Sequence, residues 1–258
     1  MKSNFNNTAY TNYTTENNIG IIEFYTPQHN SLPAIILQQL ADAVTHAGND
    51  DNCKVIILKS AGNKTFCAGA SFDELMSINN EEEGLVFFSG FAKVINAMRQ
   101  CPKFIIGSVQ GKAIGGGVGL ACSCDYTLAT IPAQIKLSEL AVGIGPFVVG
   151  PAVERKIGNA AAYELAIDAA NFRTAEWAMQ KGLYVNIFTT IEALEEATNT
   201  LAVTLSNYSS QAMHEIKKVF WEGTENWNEL LMQRAAISGK LILSDFSKKF
   251  LVNFKAKK

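Results

Sequence analysis

Three consecutive glycines and one isolated glutamate are the residues of this chain best suited to chemistry. Glycines 115–117 follow the apolar run Phe104–Val109 and open a segment whose pattern predicts a buried helix. Glycine lets the backbone approach a ligand closely, and amide N–H groups at a helix start are free to bind negative charge. Glu139 is the only acid in an otherwise apolar stretch. An anion site beside a solitary carboxylate indicates enolate chemistry at a carbonyl.

A second glycine-containing turn occupies residues 64–74, just after the apolar run 55–58. Gly69 permits a tight turn, which places the N–H of Ala70 at the start of a helix expected near Ser71. Alone, such a turn is more often a plain connection between a strand and a helix. Paired with glycines 115–117 after another strand, it predicts two backbone N–H groups that form an oxyanion hole for a thioester carbonyl.

Common nucleotide, hydrolase and metal motifs are missing from the sequence. The dinucleotide pattern G-x-G-x-x-G fails in both registers, because it needs glycine at Leu120 or at Cys122. No G-x-x-x-x-G-K-[ST], H-E-x-x-H or G-x-S-x-G occurs, which removes the usual phosphate-loop, zincin and serine-hydrolase interpretations. The three histidines have no partner at metal-ligand spacing, so no metal is predicted.

Composition is that of a globular protein with a sizeable core. The 258 residues are 48% apolar and 18% charged with net charge −2, which favours neither nucleic acid nor an anionic membrane as a partner. No apolar run approaches the roughly 20 residues that span a bilayer. Residues 1–7 are polar, and the five cysteines have no disulfide spacing. We therefore expect a reduced, cytoplasmic protein without a membrane anchor.

Alternating strands and helices must position these groups. Strand-to-helix alternation in the first half favours a partly parallel sheet built by crossovers, and helical patterns dominate after about residue 150. The predicted fold class is thus α/β with a helical C-terminal layer. Predicted strands are 10–15, 19–24, 54–59, Phe104–Val109, 126–129, 135–137 and 183–187; predicted helices are 33–46, 85–99, the glycine segment, 160–169, 174–180, Ile191–Ser206, 209–221 and 227–243.

An ordered set of motifs resembles the crotonase (enoyl-CoA hydratase/isomerase) superfamily over nearly the whole chain. The set is Phe66-Cys-Ala-Gly-Ala70, Ile114-Gly-Gly-Gly117, Cys124-Asp125, and Ser138-Glu139 before Gly143-Ile-Gly-Pro146. The resemblance implies a spiral of β-β-α units with a helical C-terminal trimerisation region. It further implies a core with the CoA site over residues 1–195, and a region for oligomerisation and active-site covering over 196–258. The implied assembly is a homotrimer or a dimer of trimers.

Carried over by position, the resemblance assigns the site. Ala70 and Gly116 become the two oxyanion-hole donors, and Glu139 becomes the general acid/base. Ala68, Gly69 and Gly115 join Ala70 and Gly116 in contacting a coenzyme A thioester, which is the substrate and not a tightly bound cofactor. The apolar neighbours of Glu139 predict partial desolvation, which raises a carboxyl pKa toward neutrality.

Two positions depart from the family pattern. Gly119 stands where the family has its second catalytic glutamate, and Ser71 stands where an aspartate is usual, with Asp73 and Glu74 following as candidates to compensate. Asp125, at the end of the glycine helix, is expected to make structural hydrogen bonds and not to act in catalysis.

Three functions remain open at this point. Hydration of a 2-enoyl-CoA, for example a branched dicarboxylic one of the methylglutaconyl type, is the assignment that the motif context favours. Isomerisation between 3-enoyl- and 2-enoyl-CoA needs only one carboxylate, so Gly119 favours that reaction. The third alternative is a non-catalytic acyl-CoA-binding protein that keeps the fold but has lost its activity.

Overall fold

A computed structural model describes residues 8–256, so the polar residues 1–7 and the last two lysines of the basic tail lie outside the described residues. The strands are β1 Tyr10–Glu16, β2 Ile19–Tyr25, β3 Val55–Ser60, β4 Thr65–Cys67, β5 Phe104–Val109, β6 Lys112–Ile114, β7 Tyr126–Thr130, β8 Ile135–Lys136 and β9 Asn186–Phe188. The helices are α1 Ala34–Asn49, α2 Phe72–Met76, α3 Glu81–Gln100, α4 Gly116–Ser123, α5 Glu139–Val142, α6 Gly150–Ile157, α7 Asn159–Ile167, α8 Ala175–Gln180, α9 Ile191–Ser206, α10 Ser210–Phe220, α11 Trp227–Leu241 and α12 Asp245–Lys255.

Successive β-β-α units build the first half of the chain, which confirms the predicted spiral. The first strand of each unit joins a six-stranded sheet of order β1-β2-β3-β5-β7-β9, and β4, β6 and β8 form a second sheet. Every pairing is parallel except the hairpin of β1 with β2. That hairpin turns through Asn17 and Asn18, whose positive φ angles of 52° and 64° suit asparagine.

Helices cover both faces of the larger sheet. Val55, Ile57 and Ile106 pack under Ala202 of α9 on one face, while the alternate residues Ile56, Leu58 and Ile105 join the main core on the other. Burial on both faces explains why residues 55–58 of β3 and 104–106 of β5 are apolar without polar alternation.

The small sheet positions the candidate functional residues. Its three parallel strands end at residues 67, 114 and 136, immediately before Ala68, Gly115 and the Ser138-Glu139 segment. Carboxyl ends of parallel strands meet at one edge, where ligands of α/β proteins usually bind. Three segments that are far apart in the sequence are brought together at this edge.

Several short elements were not predicted from the sequence. The strands β4 and β6 have three residues each, and α5 and α6 have four and eight, too few for a recognisable period. Helix α2, in contrast, begins at Phe72 with Ser71 as its N-cap, which confirms the helix expected near Ser71. Helix α3 begins four residues before the predicted start, because the Asn80 side chain accepts the N–H of Glu83 and caps it. The strand predicted at 183–187 is shorter and later, since only β9 pairs with β7.

The C-terminal helices pack on the α/β core. Helix α11 crosses α3 where Gly84 meets Gly239, so closely that a Cβ on Gly84 would lie 2.6 Å from the Gly239 Cα. Helix α12 lies against α5. The predicted division at residues 195 and 196 falls inside α9, which covers the sheet, and that division stays a prediction.

A buried ion pair anchors α10 to the core. Lys217 Nζ donates to Asp125 Oδ2 at 2.8 Å, and both side chains are at least 95% buried. Trp221 Nε1 and the N–H of Ile105 also donate to this carboxylate. Asp125 thus has the structural role expected for it, joining the end of α4 to the C-terminal helices.

Lys217→Met should lower the free energy of unfolding by about 3–5 kcal/mol, because it leaves the buried Asp125 carboxylate without its counter-ion. Urea denaturation measures the change. Lys218→Met is the matched control, since the ion pair of Lys218 with Glu215 is about 60% exposed and is worth less than about 1 kcal/mol. Equal losses in the two variants would contradict a buried anchor.

Candidate active site

The segment after β4 is held by a turn from a distant part of the chain. The N–H of Leu32 donates to the Gly69 carbonyl at 2.7 Å, and the Leu32 carbonyl accepts the N–H of Ser71 at 2.9 Å. The Ser31 hydroxyl donates to the Ala70 carbonyl at 2.9 Å. These bonds fix the conformation of residues 69–71 from one side.

Asn30 organises that turn. Its side-chain amide donates to the carbonyls of Ala61 and Thr65 at 2.9 Å each, and its Oδ1 accepts the N–H of Thr26. Its own carbonyl accepts the N–H of Ala68 at 3.1 Å. Asn30 is 3% exposed and has a φ of 55°, a left-handed conformation that asparagine tolerates. The turn is therefore a fixed platform against residues 68–71.

The N–H of Ala70 is left free by this arrangement. Within residues 8–256 it donates to no other group of the protein, although its neighbours in the segment are bonded. It belongs to the same peptide unit as the Gly69 carbonyl, which accepts the short bond from Leu32. A hydrogen bond at the carbonyl end of a peptide polarises the unit, so the Ala70 N–H is a strengthened donor.

The N–H of Gly116 is the second free donor. Gly115 has a φ of 53°, and its carbonyl accepts the N–H groups of Val118 and Gly119, which starts α4. Among the described residues, the Gly116 N–H bonds to nothing. It points from the first residue of a helix, where the helix dipole favours negative charge.

The two donors lie side by side because their backbones are in direct contact. A Cβ on Gly117 would overlap the Cys67 carbonyl, and one on Gly69 would lie 3.7 Å from the Gly116 nitrogen. The ring of Phe91 occupies the space that a side chain on Gly116 would need. Glycine is thus required at these positions by contacts within the protein, whereas the glycine run by itself predicts close approach to a ligand.

Glu139 lies next to Gly115, the residue before the second donor. Its Oε1 is 2.9 Å from the position that a Cβ on Gly115 would take. Its Oε2 is buried and has no hydrogen-bond partner among the described residues, although part of the residue is exposed. Burial raises the pKa of Glu139 to about 7, and backbone N–H groups of Glu139 and Ser138 partly oppose that rise. The predicted site residues are therefore brought together.

Gly119 and Ser71, the two positions that depart from the family pattern, make other contacts in the structure. The space beside Gly119 is occupied by Val149 and Ile95. The Ser71 side chain caps α2 by accepting the N–H of Glu74 at 3.3 Å. Glu74 in turn accepts the N–H of Ala34 at 2.8 Å. Ser71 and Glu74 thus have structural contacts in place of the compensating role considered for Glu74.

The C-terminal helix covers the elements that carry the site. Phe246 and Ser247 of α12 contact Gly143 at the end of α5, and the ring of Phe254 lies 4.7 Å from that of Phe72 in α2. A cavity of about 200 Å³ beside Lys59 and another of about 160 Å³ beside the turn at 25–30 lie elsewhere, and neither borders Glu139. Helix α12 thus packs on α5, the helix that Glu139 begins.

Residues 8–256 contain neither a metal-binding cluster nor a membrane-spanning helix. No group of three or more His, Cys, Asp or Glu side chains in that range is arranged to hold a metal ion. None of the helices described there has the length and apolar character needed to cross a bilayer. The five cysteines are free and buried.

The site residues that sequence reasoning missed are those that support the functional groups. Residues 30–32 bond to residues 68–71, almost forty positions further along the chain, and no local pattern predicts a contact over that separation. Val149 carried no recognisable signal, because an apolar residue in an apolar stretch is ordinary core.

Comparison with known proteins identifies the family. The family profile described as Enoyl-CoA hydratase/isomerase matches residues 14–257. An enoyl-CoA hydratase from Bacillus halodurans has the same fold, with a TM-score of 0.86 and 22% identity over 95% of this chain and 99% of its own. A putative enoyl-CoA hydratase/isomerase (crotonase) from Legionella pneumophila is 29% identical, with a TM-score of 0.78 and 97% of each chain covered.

Curated relatives carry several activities in their names. An ethylmalonyl-CoA decarboxylase from Xenopus laevis is 28% identical over 81% of this chain and 71% of its own length. A probable enoyl-CoA hydratase from Bacillus subtilis is 30% identical over 57% of each. A methylglutaconyl-CoA hydratase from Rattus norvegicus is 36% identical over 54% of this chain and 44% of its own.

Glu139→Gln should make the protein more stable above pH 7. A carboxyl whose folded pKa is raised from 4.5 to about 7 binds its proton more tightly when folded, so its contribution to stability is lost as pH rises through that range. The gain in the variant should approach about 3 kcal/mol at pH 8 and vanish below pH 4.5. Thermal melts across pH measure it, with the exposed Glu192→Gln as control. A pH-independent difference would contradict a buried carboxyl.

Proposed function

This chain belongs to the enoyl-CoA hydratase/isomerase family, and on that premise we propose that it moves a proton on an acyl-CoA thioester through an enolate. Ala70 and Gly116 would hold the thioester oxygen, and Glu139 would take and return the proton. One observation carries this proposal: two N–H donors without a partner among residues 8–256 lie on backbone segments in contact, and next to Gly115 lies the Glu139 carboxyl, whose buried Oε2 has no partner in that range. Such donors are worth about 10²–10³ in rate each.

A double-bond shift is the reaction that this geometry supports best. Glu139 takes a proton from C2 of a 3-enoyl-CoA, and the electron pair moves onto the thioester oxygen between the two N–H donors. Glu139 then gives the proton to C4, and the double bond moves from C3–C4 to C2–C3. One carboxyl with a pKa of about 7 can both accept and donate at neutral pH.

Substrate binding in this proposal uses backbone groups. Ala68, Gly69 and Ala70 of one segment, with Gly115 and Gly116 of the other, would contact the thioester and the adjoining part of coenzyme A. Proton transfer of this kind changes no oxidation state, so the reaction calls for no further cofactor. Residues 196–258 would cover the acyl group through α12, and would form the trimer or dimer of trimers.

Hydration of a 2-enoyl-CoA is the second candidate. The hydratase names of relatives such as the Bacillus subtilis and Rattus norvegicus proteins favour it. Water addition as the family performs it uses two carboxylates, and here the second position is Gly119. Hydration would therefore require another proton-handling group or a carboxylate on the substrate. A non-catalytic acyl-CoA-binding role, the third possibility, is disfavoured by the presence of Glu139 beside both donors.

Glu139→Gln should abolish exchange of the C2 protons of a saturated acyl-CoA in heavy water, a loss of about 10²–10⁴ in rate. Mass spectrometry follows deuterium uptake, and calorimetry with coenzyme A tests whether binding is retained. The exposed Glu192→Gln variant should exchange like the parent. Undiminished exchange in Glu139→Gln would refute its role, and no exchange in the parent would indicate a silent binder.

Offered a panel of 3-enoyl- and 2-enoyl-CoA thioesters, including a branched dicarboxylic one, the protein should convert 3-enoyl substrates to the conjugated product at unchanged mass. Absorbance of the conjugated thioester and product mass distinguish the reactions. A gain of about 18 mass units, the mass of one water, on a 2-enoyl substrate would instead establish hydration and contradict the proposed double-bond shift.

A further inference from the structure

The segment from Glu139 to Val149 contacts α4 twice, through its first residue and through its last. At one end the Glu139 carboxyl lies over Gly115, and ten residues later the side chain of Val149 lies over Gly119. Gly116 and Gly119 are three residues apart in α4, a spacing that places them on the same helix face. One stretch of chain therefore supplies both the carboxyl next to Gly115, at the start of α4, and the apolar group next to Gly119, one turn further along the helix.

Val149 fills the space beside Gly119 completely. A Cβ on Gly119 would lie 2.5 Å from Val149 Cγ1 and 2.8 Å from its Cβ, with Ile95 Cδ1 behind at 3.7 Å. Val149 is 4% exposed and Ile95 is fully buried, and both belong to the main core. Neither side chain offers a donor or an acceptor, so the site next to Gly119 can hold neither a carboxylate nor an ordered water.

We propose that Val149 is a specificity-determining residue, whose isopropyl group closes this side of the site to water and commits the enolate to reprotonation by Glu139. The inference rests on the proposed enolate chemistry. Hydration requires a water oxygen to bond to C3 while its proton leaves to a base and another proton reaches C2. An apolar wall at Gly119 provides no group that orients the water or accepts its proton.

The first test introduces a polar group at the wall. Val149→Thr replaces a methyl with a hydroxyl at nearly unchanged volume. It should raise the incorporation of ¹⁸O from labelled water into a four-carbon 2-enoyl-CoA by at least about tenfold over the parent. Val153→Thr is the matched control, because Val153 is a fully buried valine on the adjoining helix α6. It should leave incorporation at the parent level.

The second test introduces a carboxylate at position 119. Gly119→Glu alone should gain no hydration, because the new side chain meets Val149, whereas Gly119→Glu with Val149→Ala should gain about 10²-fold or more. Equal hydration by Gly119→Glu and the double variant would overturn the proposal. Rapid hydration by the parent would also overturn it. So would a Val149→Thr variant that still exchanges C2 protons but incorporates no more ¹⁸O than the parent.

Proton exchange on a saturated acyl-CoA separates this inference from the function on which it rests. Absence of exchange in the parent refutes the enolate chemistry, and the inference with it. Exchange in every variant without the expected pattern of ¹⁸O incorporation refutes the role of Val149 and leaves the enolate chemistry intact.

Discussion

The end of β4 and the start of α4 pack backbone against backbone, and this contact sets the geometry of the candidate site. Two backbones meet there with no room for a side chain, since a Cβ on Gly117 would overlap the Cys67 carbonyl. This contact is what places the free N–H groups of Ala70 and Gly116 next to each other. A side chain at Gly117 would push the two segments apart, and two N–H groups can bind one oxygen together only if they are already in position.

Each donor is prepared by a different part of the chain. The turn at residues 30–32 polarises and fixes the peptide that ends in the Ala70 N–H, whereas the first turn of α4 does so for Gly116. The carboxyl of Glu139 is then placed beside them at the expense of its own hydration, which is why its pKa rises to about 7. Burial of this carboxyl lowers the stability of the protein at high pH. The same burial gives the carboxyl the raised pKa that the proposed proton transfer uses.

The C-terminal helices contact the elements that carry the candidate site. The buried pair Asp125–Lys217 ties α10 to the end of α4, and α12 packs on α5 and α2, the two helices that follow the functional segments. The region that pattern analysis separates as a helical layer is thus in contact with the elements of the site. Its role in oligomerisation stays a prediction.

Local periodicity was enough to predict the α/β class and the order of the long strands and helices. The family and the roles assigned to Ala70, Gly116 and Glu139 followed from the resemblance of the ordered motifs, and those roles stay predictions. Only the tertiary structure decided that residues 30–32 hold the Ala70 peptide, that Val149 occupies the place beside Gly119, and that Phe254 reaches Phe72. The physical reason is that these contacts join residues distant in sequence and ordinary in type, so the packing that creates them leaves no local pattern to read.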